Sequence, residues 1–253
     1  MLSKSKKKFI RSLEHKKYRA ESGCFLAEGN KLVSDLLPHF ECEILVTTSS
    51  WLATQGDVYA KELILIEPEE MTGVSLLRNP QDVLAVFKQI PYEIREEDIR
   101  SQLSLVLDDI QDPGNLGTIV RLADWFGIEN IICSPSTTDI YNPKTIQATM
   151  GALARVKVHY LSLSEFLSPF PDLPIYGTYP EGENIYNREL SSTGLIIMGN
   201  EGNGINPELE KFITQKLFIP NFPPGKATSE SLNVAMATGI VCAEFRRKQL
   251  YTI

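Results

Sequence analysis

Three clusters of glycine and polar residues follow apolar runs between residue 103 and the end of this chain. In α/β proteins, ligand sites form where buried strands end in such residues. Three apolar runs, each followed by a cluster of similar chemistry, therefore predict one composite pocket at the edge of a parallel sheet. The pairs of run and cluster are 103–107 with Asn115–Gly117, 195–198 with Gly199–Gly204, and 217–220 with Ser231–Asn233.

The composition is that of a globular protein, with 43% hydrophobic and 23% charged residues. No apolar run reaches the length of a membrane span, and the Lys-rich N-terminus is not followed by the apolar stretch of a secretory signal. The cysteines are scattered without a Cys-x-x-Cys pair, and the histidines are isolated. This pattern predicts buried thiols, no metal site and a cytoplasmic location. The cysteines are Cys24, Cys42, Cys133 and Cys242.

Charge is distributed unevenly along the chain. The net charge of −7 argues against indiscriminate binding of nucleic acids. The first 20 residues nevertheless contain a dense set of cations and a single acid, Glu14. Such a segment is either an electrostatic handle for phosphates or a solvated tail, and the charges alone do not decide between them. The cations are Lys4, Lys6, Lys7, Lys8, Arg11, Lys16, Lys17 and Arg19.

The chain divides near residue 100, where the polar stretch 93–102 resembles a linker. The part before it predicts a small α/β domain, residues 1–95. The part after it, residues 103–253, alternates strands with helices, which indicates a parallel sheet covered by helices on both faces. Helices are predicted at 7–18, 29–37, 67–77, 117–126, 143–150, 207–212 and 231–248, and strands at 44–47, 63–66, 83–87, 105–107, 130–133, 175–179, 195–198 and 217–220.

The first cluster is interpreted as a loop, 112–117, that enters a helix. Its glycines allow the backbone to approach a ligand closely. Arg121 follows one turn later, and a guanidinium near a helix N-terminus suits a phosphate or a carboxylate. The alternative is that Arg121 pairs with Asp112 or Asp124 on the surface.

The second and third clusters differ from the common nucleotide-binding motifs. Gly199–Gly204 has neither the spacing of the dinucleotide fingerprint nor the Lys-Ser/Thr pair of a Walker loop. Burying the carboxylate of Glu201 after a buried strand is costly unless it is hydrogen-bonded. Glu201 therefore either holds an arginine or accepts a hydrogen bond from a substrate, or it faces solvent in a simple turn. Ser231 is predicted to be the N-cap of the last helix, with capping alone as the alternative to a role in ligand binding.

The order and content of the three clusters resemble the SpoU (TrmH) family of RNA ribose methyltransferases. The family's motifs correspond to DDIQDPGNLGTIVR at Asp108–Arg121, IMGNEGNGI at Ile197–Ile205 and IPNFPPGKATSESLNVAMATGI at Ile219–Ile240. Residues 141–153 are similar to the same family, and residues 16–33 are similar to its small substrate-binding domain. The resemblance therefore covers nearly the whole chain.

This resemblance implies a small N-terminal α/β RNA-binding domain and a parallel-sheet α/β domain whose C-terminal chain forms a trefoil knot. It further implies a homodimer without a metal ion that uses S-adenosylmethionine to methylate the 2′-hydroxyl of a ribose. The separate first domain favours ribosomal RNA over transfer RNA. The implied catalytic residues are Asn115, Arg121, Glu201, Ser231 and Asn233, and the implied cofactor-binding residues are Thr178, Gly199, Gly202, Ile219, Pro220 and Leu232.

Within this framework, we expect Arg121 to anchor a phosphate and stabilise the forming alkoxide, with Glu201 and Asn115 orienting it. A guanidinium stays protonated in proteins, which disfavours Arg121 as a free base. Two departures from the family pattern are the longer loop 221–230, which affects substrate choice or loop ordering, and Gln147 in place of arginine, which removes a phosphate contact.

Two other functions are compatible with parts of the sequence. A non-catalytic RNA-binding or assembly factor on the same fold has no need of all five implied catalytic residues. A nucleotide-dependent oxidoreductase requires the Gly-x-Gly-x-x-Gly motif, which is missing after a first strand. Binding of a sulfonium donor rather than a nicotinamide discriminates between the enzyme classes.

Overall fold

The computed structural model describes residues 2–223, 229 and 231–250, apart from the side chain of Lys248. The elements up to residue 91 are α1 (Lys4–Ser12), α2 (Lys16–Ser22), β1 (Cys24–Glu28), α3 (Asn30–Leu36), β2 (Cys42–Thr47), α4 (Ser49–Leu52), β3 (Glu62–Leu65), α5 (Pro68–Met71) and β4 (Val83–Lys88). They are followed by α6 (Glu96–Ser101), β5 (Leu103–Leu107), α7 (Pro113–Trp125), β6 (Asn130–Cys133), α8 (Pro143–Thr149), β7 (Lys157–Tyr160), α9 (Leu163–Leu167), β8 (Ile175–Asn184), β9 (Gly194–Met198), β10 (Gln215–Phe218) and α10 (Val234–Leu250). Short 3₁₀ helices lie at Ala152–Ala154, Ile185–Asn187 and Pro207–Phe212.

The chain forms two compact units that are not two simple halves. One unit contains residues 1–91 and 139–154, and the other contains 92–138 and 155–253. Segment 139–154, which includes α8, therefore packs with the N-terminal residues. The domain boundaries expected from the sequence, 1–95 and 103–253, assign this segment to the second domain instead.

In the first unit, the described strands form a mixed sheet in the order β1-β4-β2-β3. Only the pair β2 and β3 is parallel; β4 runs antiparallel to both of its neighbours. Helix α1 buries Ile10 against Leu26 and Val86 of this sheet. The apolar side of a basic helix is thus part of the core, which explains why so charged a segment is folded.

Aromatic and polar contacts explain why segment 139–154 belongs to the first unit. The ring of Tyr141 lies 4.8 Å from the ring of Phe25 in β1. The buried Arg19 donates to Asp139 at 2.6 Å and also to the backbone oxygens of Leu13 and Glu14. These contacts satisfy a guanidinium that is only 2% exposed, which is the condition for burying a charge.

In the second unit, the described strands form a fully parallel sheet in the order β10-β8-β9-β5-β6-β7. The predicted parallel α/β sheet is confirmed, whereas the trefoil knot stays a prediction. The chain runs outward from β5 through β6 to β7 and then crosses to the other side of β5. The central neighbours β5 and β9 mark the reversal in strand order at which open α/β sheets bind ligands.

Several local predictions were wrong at element boundaries. Segment 93–102 is not wholly a linker: it contains α6, whose first turn is acidic and whose Ile99 is fully buried. The expected single helix at 7–18 is divided into α1 and α2. The expected loop 112–117 is mostly helical, because Asp112 caps α7 and Pro113 occupies its first position. Strands β1 and β7 and helices α4 and α9 were not predicted.

The cysteine prediction is confirmed, since all four thiols are free and buried. Burial raises the pKa of Cys42 to about 12, so this thiol is not a reactive nucleophile at neutral pH. Within the described range, no helix is long and apolar enough to cross a membrane. No group of at least three His, Cys, Asp or Glu side chains there is arranged to hold a metal ion.

Candidate functional site

The carboxyl ends of β5, β9 and β10 lie along one edge of the parallel sheet. Asp108 follows β5, Gly199 follows β9 and Ile219 follows β10. Because all paired strands in this sheet are parallel, these residues meet at the same edge. The edge is where a doubly wound sheet offers a crevice to a ligand.

The turn Gly199–Gly204 is held in shape by its own hydrogen bonds. The side-chain oxygen of Asn200 accepts from the amides of Gly202 (2.8 Å) and Asn203 (3.1 Å). A Cβ at position 199 would lie 2.4 Å from the carbonyl carbon of Gly204, so only glycine fits there. The turn is therefore a rigid platform and not a loose loop.

Two acids after β5 tie this turn to the neighbouring strand. Asp108 accepts from the amide of Asn206 at 2.7 Å, and burial raises the pKa of its carboxyl. Asp109 adopts a left-handed backbone (φ 59°), and its carbonyl oxygen accepts from the Asn200 side chain at 2.9 Å. Neither acid was predicted to have a role, although consecutive acids directly after a buried strand are a signal that could have identified them.

A chain of side-chain hydrogen bonds joins all three sequence clusters. Asn233 donates from Nδ2 to Asn115 Oδ1 at 2.9 Å. Asn115 in turn donates from Nδ2 to Glu201 Oε1. Asn115 is fixed at the start of α7 because its backbone N–H donates to the side chain of Asp112, the N-cap of this helix, at 2.8 Å. The arrangement orients one carboxylate through two amide groups.

The prediction that Ser231 caps the last helix is wrong. Helix α10 begins at Val234, and the side chain of Asn233 accepts from the amides of Ala235 (3.1 Å) and Met236 (3.2 Å). Asn233 reaches these amides because it lies directly before the helix. Ser231 instead donates to the backbone oxygen of Glu201 at 3.5 Å, a long hydrogen bond at the rim of the site.

A cavity of about 820 Å³ lies beside this chain of hydrogen bonds. Its wall includes the whole turn Gly199–Gly204 and residues 217–221. All six predicted cofactor-binding residues line it, together with Glu201 and Ser231 from the predicted catalytic set. These six are Thr178, Gly199, Gly202, Ile219, Pro220 and Leu232.

Tyr179 is a lining residue that the sequence did not single out. Lys216 lies 4.7 Å from the centre of its ring and also pairs with Glu210. Burial is the main reason why the pKa of the Tyr179 hydroxyl is raised, so it remains a neutral donor at physiological pH. A cation over one ring face holds this side chain in place at the cavity wall.

Arg121 is not brought to the chain of hydrogen bonds. It lies on α7 six residues after Asn115, and its exposed side chain makes no hydrogen bond or ion pair with the described residues. The side-chain amide of Asn115 binds Glu201 and Asn233. The expected orientation of Arg121 by Asn115 and Glu201 is therefore not seen among the described residues. The surface pairing with Asp112 or Asp124 is also absent there: Asp124 binds Arg155.

The two departures from the family pattern fall in different parts of the structure. Gln147 lies on α8 in the first unit and donates to the backbone oxygen of Glu28 at 2.6 Å. It therefore has a structural contact. Of the longer loop 221–230, residues 224–228 and 230 lie outside the described range.

Comparison with known proteins connects this geometry to a family. Residues 102–243 match the model of the SpoU rRNA methylase family, and residues 4–85 match that of the MRM3-like substrate binding domain. Among curated relatives, the Bacillus subtilis 23S rRNA (guanosine(2553)-2′-O)-methyltransferase RlmP is 30% identical over 93% of this chain and 94% of its own length.

Solved structures agree with these matches. A TrmH-family protein from Porphyromonas gingivalis is 39% identical and superposes with a TM-score of 0.89, over 98% of this chain and 99% of that one. An S-adenosylmethionine-bound rRNA methyltransferase from Sinorhizobium meliloti is 27% identical, with a TM-score of 0.82 over 100% of this chain and 98% of its own. Both likenesses include residues of each unit.

Proposed function

Because this chain belongs to the SpoU rRNA methylase family, we propose that it transfers a methyl group from S-adenosylmethionine to the 2′-hydroxyl of a ribose in ribosomal RNA. The observation that carries the proposal is the chain of hydrogen bonds from Asn233 through Asn115 to Glu201 beside a cavity of about 820 Å³. A module that only binds RNA needs no oriented carboxylate at the wall of such a cavity.

The cavity fits the proposed methyl donor in size and chemistry. Its volume lies within the range of roughly 300–1,000 Å³ that is usual for small-molecule sites. The glycine turn presents backbone amides and carbonyls that recognise polar groups, while Leu232 and Ile205 supply apolar surface. We assign Thr178, Gly199, Gly202, Ile219, Pro220 and Leu232 to holding the donor. When bound, S-adenosylmethionine supplies a methyl group that its sulfonium has already activated.

The residues of the chain then have to position a ribose and manage one proton. Glu201 Oε1 is occupied by Asn115, whereas Oε2 accepts no hydrogen bond from the described residues. We assign Oε2 as the acceptor that hydrogen-bonds the 2′-hydroxyl, orients its oxygen and takes up its proton as that oxygen receives the methyl group. Such alignment can lower a barrier by roughly 7–11 kcal/mol without a metal ion.

Arg121 is assigned to the phosphate next to the reacting ribose. It is exposed, and among the described residues it has no carboxylate partner that would neutralise it. A guanidinium binds phosphate oxygens in a bidentate geometry, which fixes the nucleotide as well as attracting it. Its charge also stabilises an oxyanion that forms nearby.

A homodimer is part of the proposal. Trp125 of α7 is 83% exposed and Met236 of α10 is 63% exposed, although both helices belong to the second unit and pack against each other. Large exposed apolar side chains of this kind mark surfaces that another protein covers. A second copy of the chain is the occupant that we propose.

The direct test is methyl transfer to ribosomal and transfer RNA fractions with a methyl-labelled donor. We expect label in 2′-O-methyl nucleosides of the ribosomal fraction, and its loss in Glu201→Gln but not in the exposed control Glu208→Gln. Label in transfer RNA alone would contradict ribosomal RNA as the substrate. Donor-independent RNA binding without any methyl transfer would instead support the non-catalytic function.

A further inference from the structure

Helix α1 carries a row of cations on the face opposite the one that it buries. Ile10 of this helix is fully buried in the core of the first unit. Lys4, Lys8 and Arg11 are exposed and follow one another at intervals of four and three residues. On a helix this spacing places the three side chains along one stripe.

Not all cations of the N-terminal segment are available to a partner. Lys6 pairs with Glu62, and the buried Arg19 pairs with Asp139. Arg11 donates to the backbone oxygen of Ser75 but keeps an exposed side chain. These contacts make Lys6 and Arg19 structural residues, which the composition alone could not distinguish from a phosphate handle.

Lys17 pairs with Glu21 on the same helix, whereas three other lysines of this segment have no partner among the described residues. The ammonium groups of Lys4, Lys8 and Lys16 form no hydrogen bond or ion pair with any described residue. They are exposed in a chain whose net charge is −7, so this concentration of unpaired positive charge is a local feature. A row of unpaired cations is complementary to a polyanion.

Two aromatic rings lie next to these lysines in the sequence. His15 and Tyr18 flank Lys16 and Lys17, and their ring centres are 6.2 Å apart. Tyr18 is 44% exposed, so a face of its ring is accessible. Cations combined with exposed rings are the means by which proteins bind single-stranded nucleic acids, since phosphates meet the charges and bases stack on the rings.

The same observations disfavour an anionic membrane as the partner. A helix that binds a lipid surface needs an apolar face free for the bilayer. Helix α1 instead places Ile10 and its neighbour Leu13 within the core of the first unit. The exposed residues of the helix are Lys4, Ser5, Lys8 and Arg11, which are charged or polar and suit a phosphate backbone.

We propose that this basic surface, formed by Lys4, Lys8, Arg11, Lys16 and Tyr18, binds a single-stranded segment of the substrate RNA. The inference rests on the proposed function and assigns the RNA contact to one side of the first unit. Lysines and Arg11 meet the phosphates, and the ring of Tyr18 stacks on a base. The surface supplies affinity and does no chemistry.

The test uses the full chain and a fluorescein-labelled oligouridine, with the dissociation constant measured across a range of salt concentrations. The variant is Lys4→Gln/Lys8→Gln/Lys16→Gln, which leaves Arg11 and its contact to Ser75 intact. The matched control is Lys31→Gln/Lys61→Gln/Lys88→Gln, which removes the same charge from the same unit at lysines already paired with acids. Both variants keep the buried residues unchanged, and thermal unfolding verifies that they fold.

We expect the test variant to lose affinity by about tenfold and its slope of log K against log salt to fall by about 2, since each single-strand phosphate contact contributes about 0.7. The control variant should keep both values. A separate variant, Tyr18→Leu, should lose affinity by about tenfold with an unchanged slope, because stacking releases no counterions.

Equal losses in the test and control variants would overturn the proposal in favour of bulk charge, and so would unchanged binding in the test variant. Binding of anionic phosphatidylserine vesicles that depends on the same three lysines would overturn it in favour of a lipid partner. Methyl transfer is measured separately. Loss of RNA binding as expected in a protein that methylates no RNA would refute the proposed function and leave the surface standing.

Discussion

Asn115 connects two side chains that are far apart in the sequence. Its amide group donates to Glu201, and its carbonyl accepts from Asn233. An amide can do both at once, whereas aspartate offers only acceptors and leucine neither. The residue therefore fixes the carboxylate of Glu201 without lining the cavity itself.

Replacing Asn115 should damage catalysis more than donor binding. We expect Asn115→Ala to lower kcat by about 100-fold, the size of effect produced by a misplacement of about 1 Å, with the KM for S-adenosylmethionine nearly unchanged. Steady-state kinetics on ribosomal RNA measure both values. Asn187→Ala, an exposed asparagine outside the site, is the matched control. A raised KM at constant kcat would show that Asn115 serves the donor instead.

Asp109 illustrates a backbone requirement at a single residue. Its φ of 59° is unfavourable for most side chains, while its essential contact uses the backbone oxygen that accepts from Asn200. We expect Asp109→Gly to keep the free energy of unfolding within about 1 kcal/mol of the original. Asp109→Val should lower it by about 1–2 kcal/mol, because a left-handed backbone crowds a branched Cβ.

Urea unfolding of both Asp109 variants checks this expectation. Equal destabilisation by glycine and valine would mean that the carboxylate contacts to Gln111 and Asn200 matter more than the backbone conformation. The left-handed backbone of Asp109 could not be predicted from the residue type, since aspartate is common in ordinary turns as well.

At the level of elements, the sequence predicted the helices and strands that have a long apolar pattern or clear start and stop signals. Strands β5 and β9 were found because Leu103–Leu107 and Gly194–Met198 are almost wholly apolar. Helix α6 was missed because its single fully buried residue, Ile99, stands among charges. The start of α7 was placed too late, although Asp112 followed by Pro113 is a recognisable N-cap and first position.

Another element-scale feature is the link between the end of β1 and the segment that precedes β4. The buried carboxyl of Glu28 accepts from the Ser75 hydroxyl and from the Leu76 amide. Burial outweighs these hydrogen bonds and raises its pKa above the ordinary value of a glutamate. The native state therefore favours the protonated carboxyl more than the unfolded chain does.

The stability contributed by this proton should depend on pH. It is fully present below the pKa of an unfolded glutamate, about 4.3, and is lost as pH rises through the raised native pKa. We expect the free energy of unfolding, measured relative to Glu28→Gln, to fall across that window. Urea unfolding of both proteins from pH 4 upward measures it, with Glu69→Gln as an exposed control. A difference that stays constant with pH would contradict the assignment.

For the whole molecule, the order of strands in the large sheet could not be derived from periodicity. The order β10-β8-β9-β5-β6-β7 depends on pairing between segments distant in sequence, such as β5 with β9. Local patterns specify that strands exist and which are buried, but not which neighbour each one selects. The alternation of strands and helices predicted the parallel sheet, whereas the trefoil knot of the C-terminal chain was expected only from the likeness to a family.

The proposed homodimer gives a prediction at this scale. We expect Trp125→Glu/Met236→Glu to be monomeric, because two charges would replace the large apolar side chains that α7 and α10 leave exposed. Light scattering measures the molar mass of the particle. Tyr59→Glu, which alters an equally exposed aromatic residue of the first unit, should leave the dimer intact. If the protein without substitutions is itself a monomer, the proposed homodimer is refuted.

The return of segment 139–154 to the first unit has a consequence for the order of events during synthesis. Chains fold from the N-terminus as the ribosome releases them. Until residue 154 has emerged, Phe25 lacks the ring of Tyr141 and the buried Arg19 lacks the carboxylate of Asp139. The first unit therefore cannot complete its folding until β5, α7 and β6 of the second unit have been synthesised.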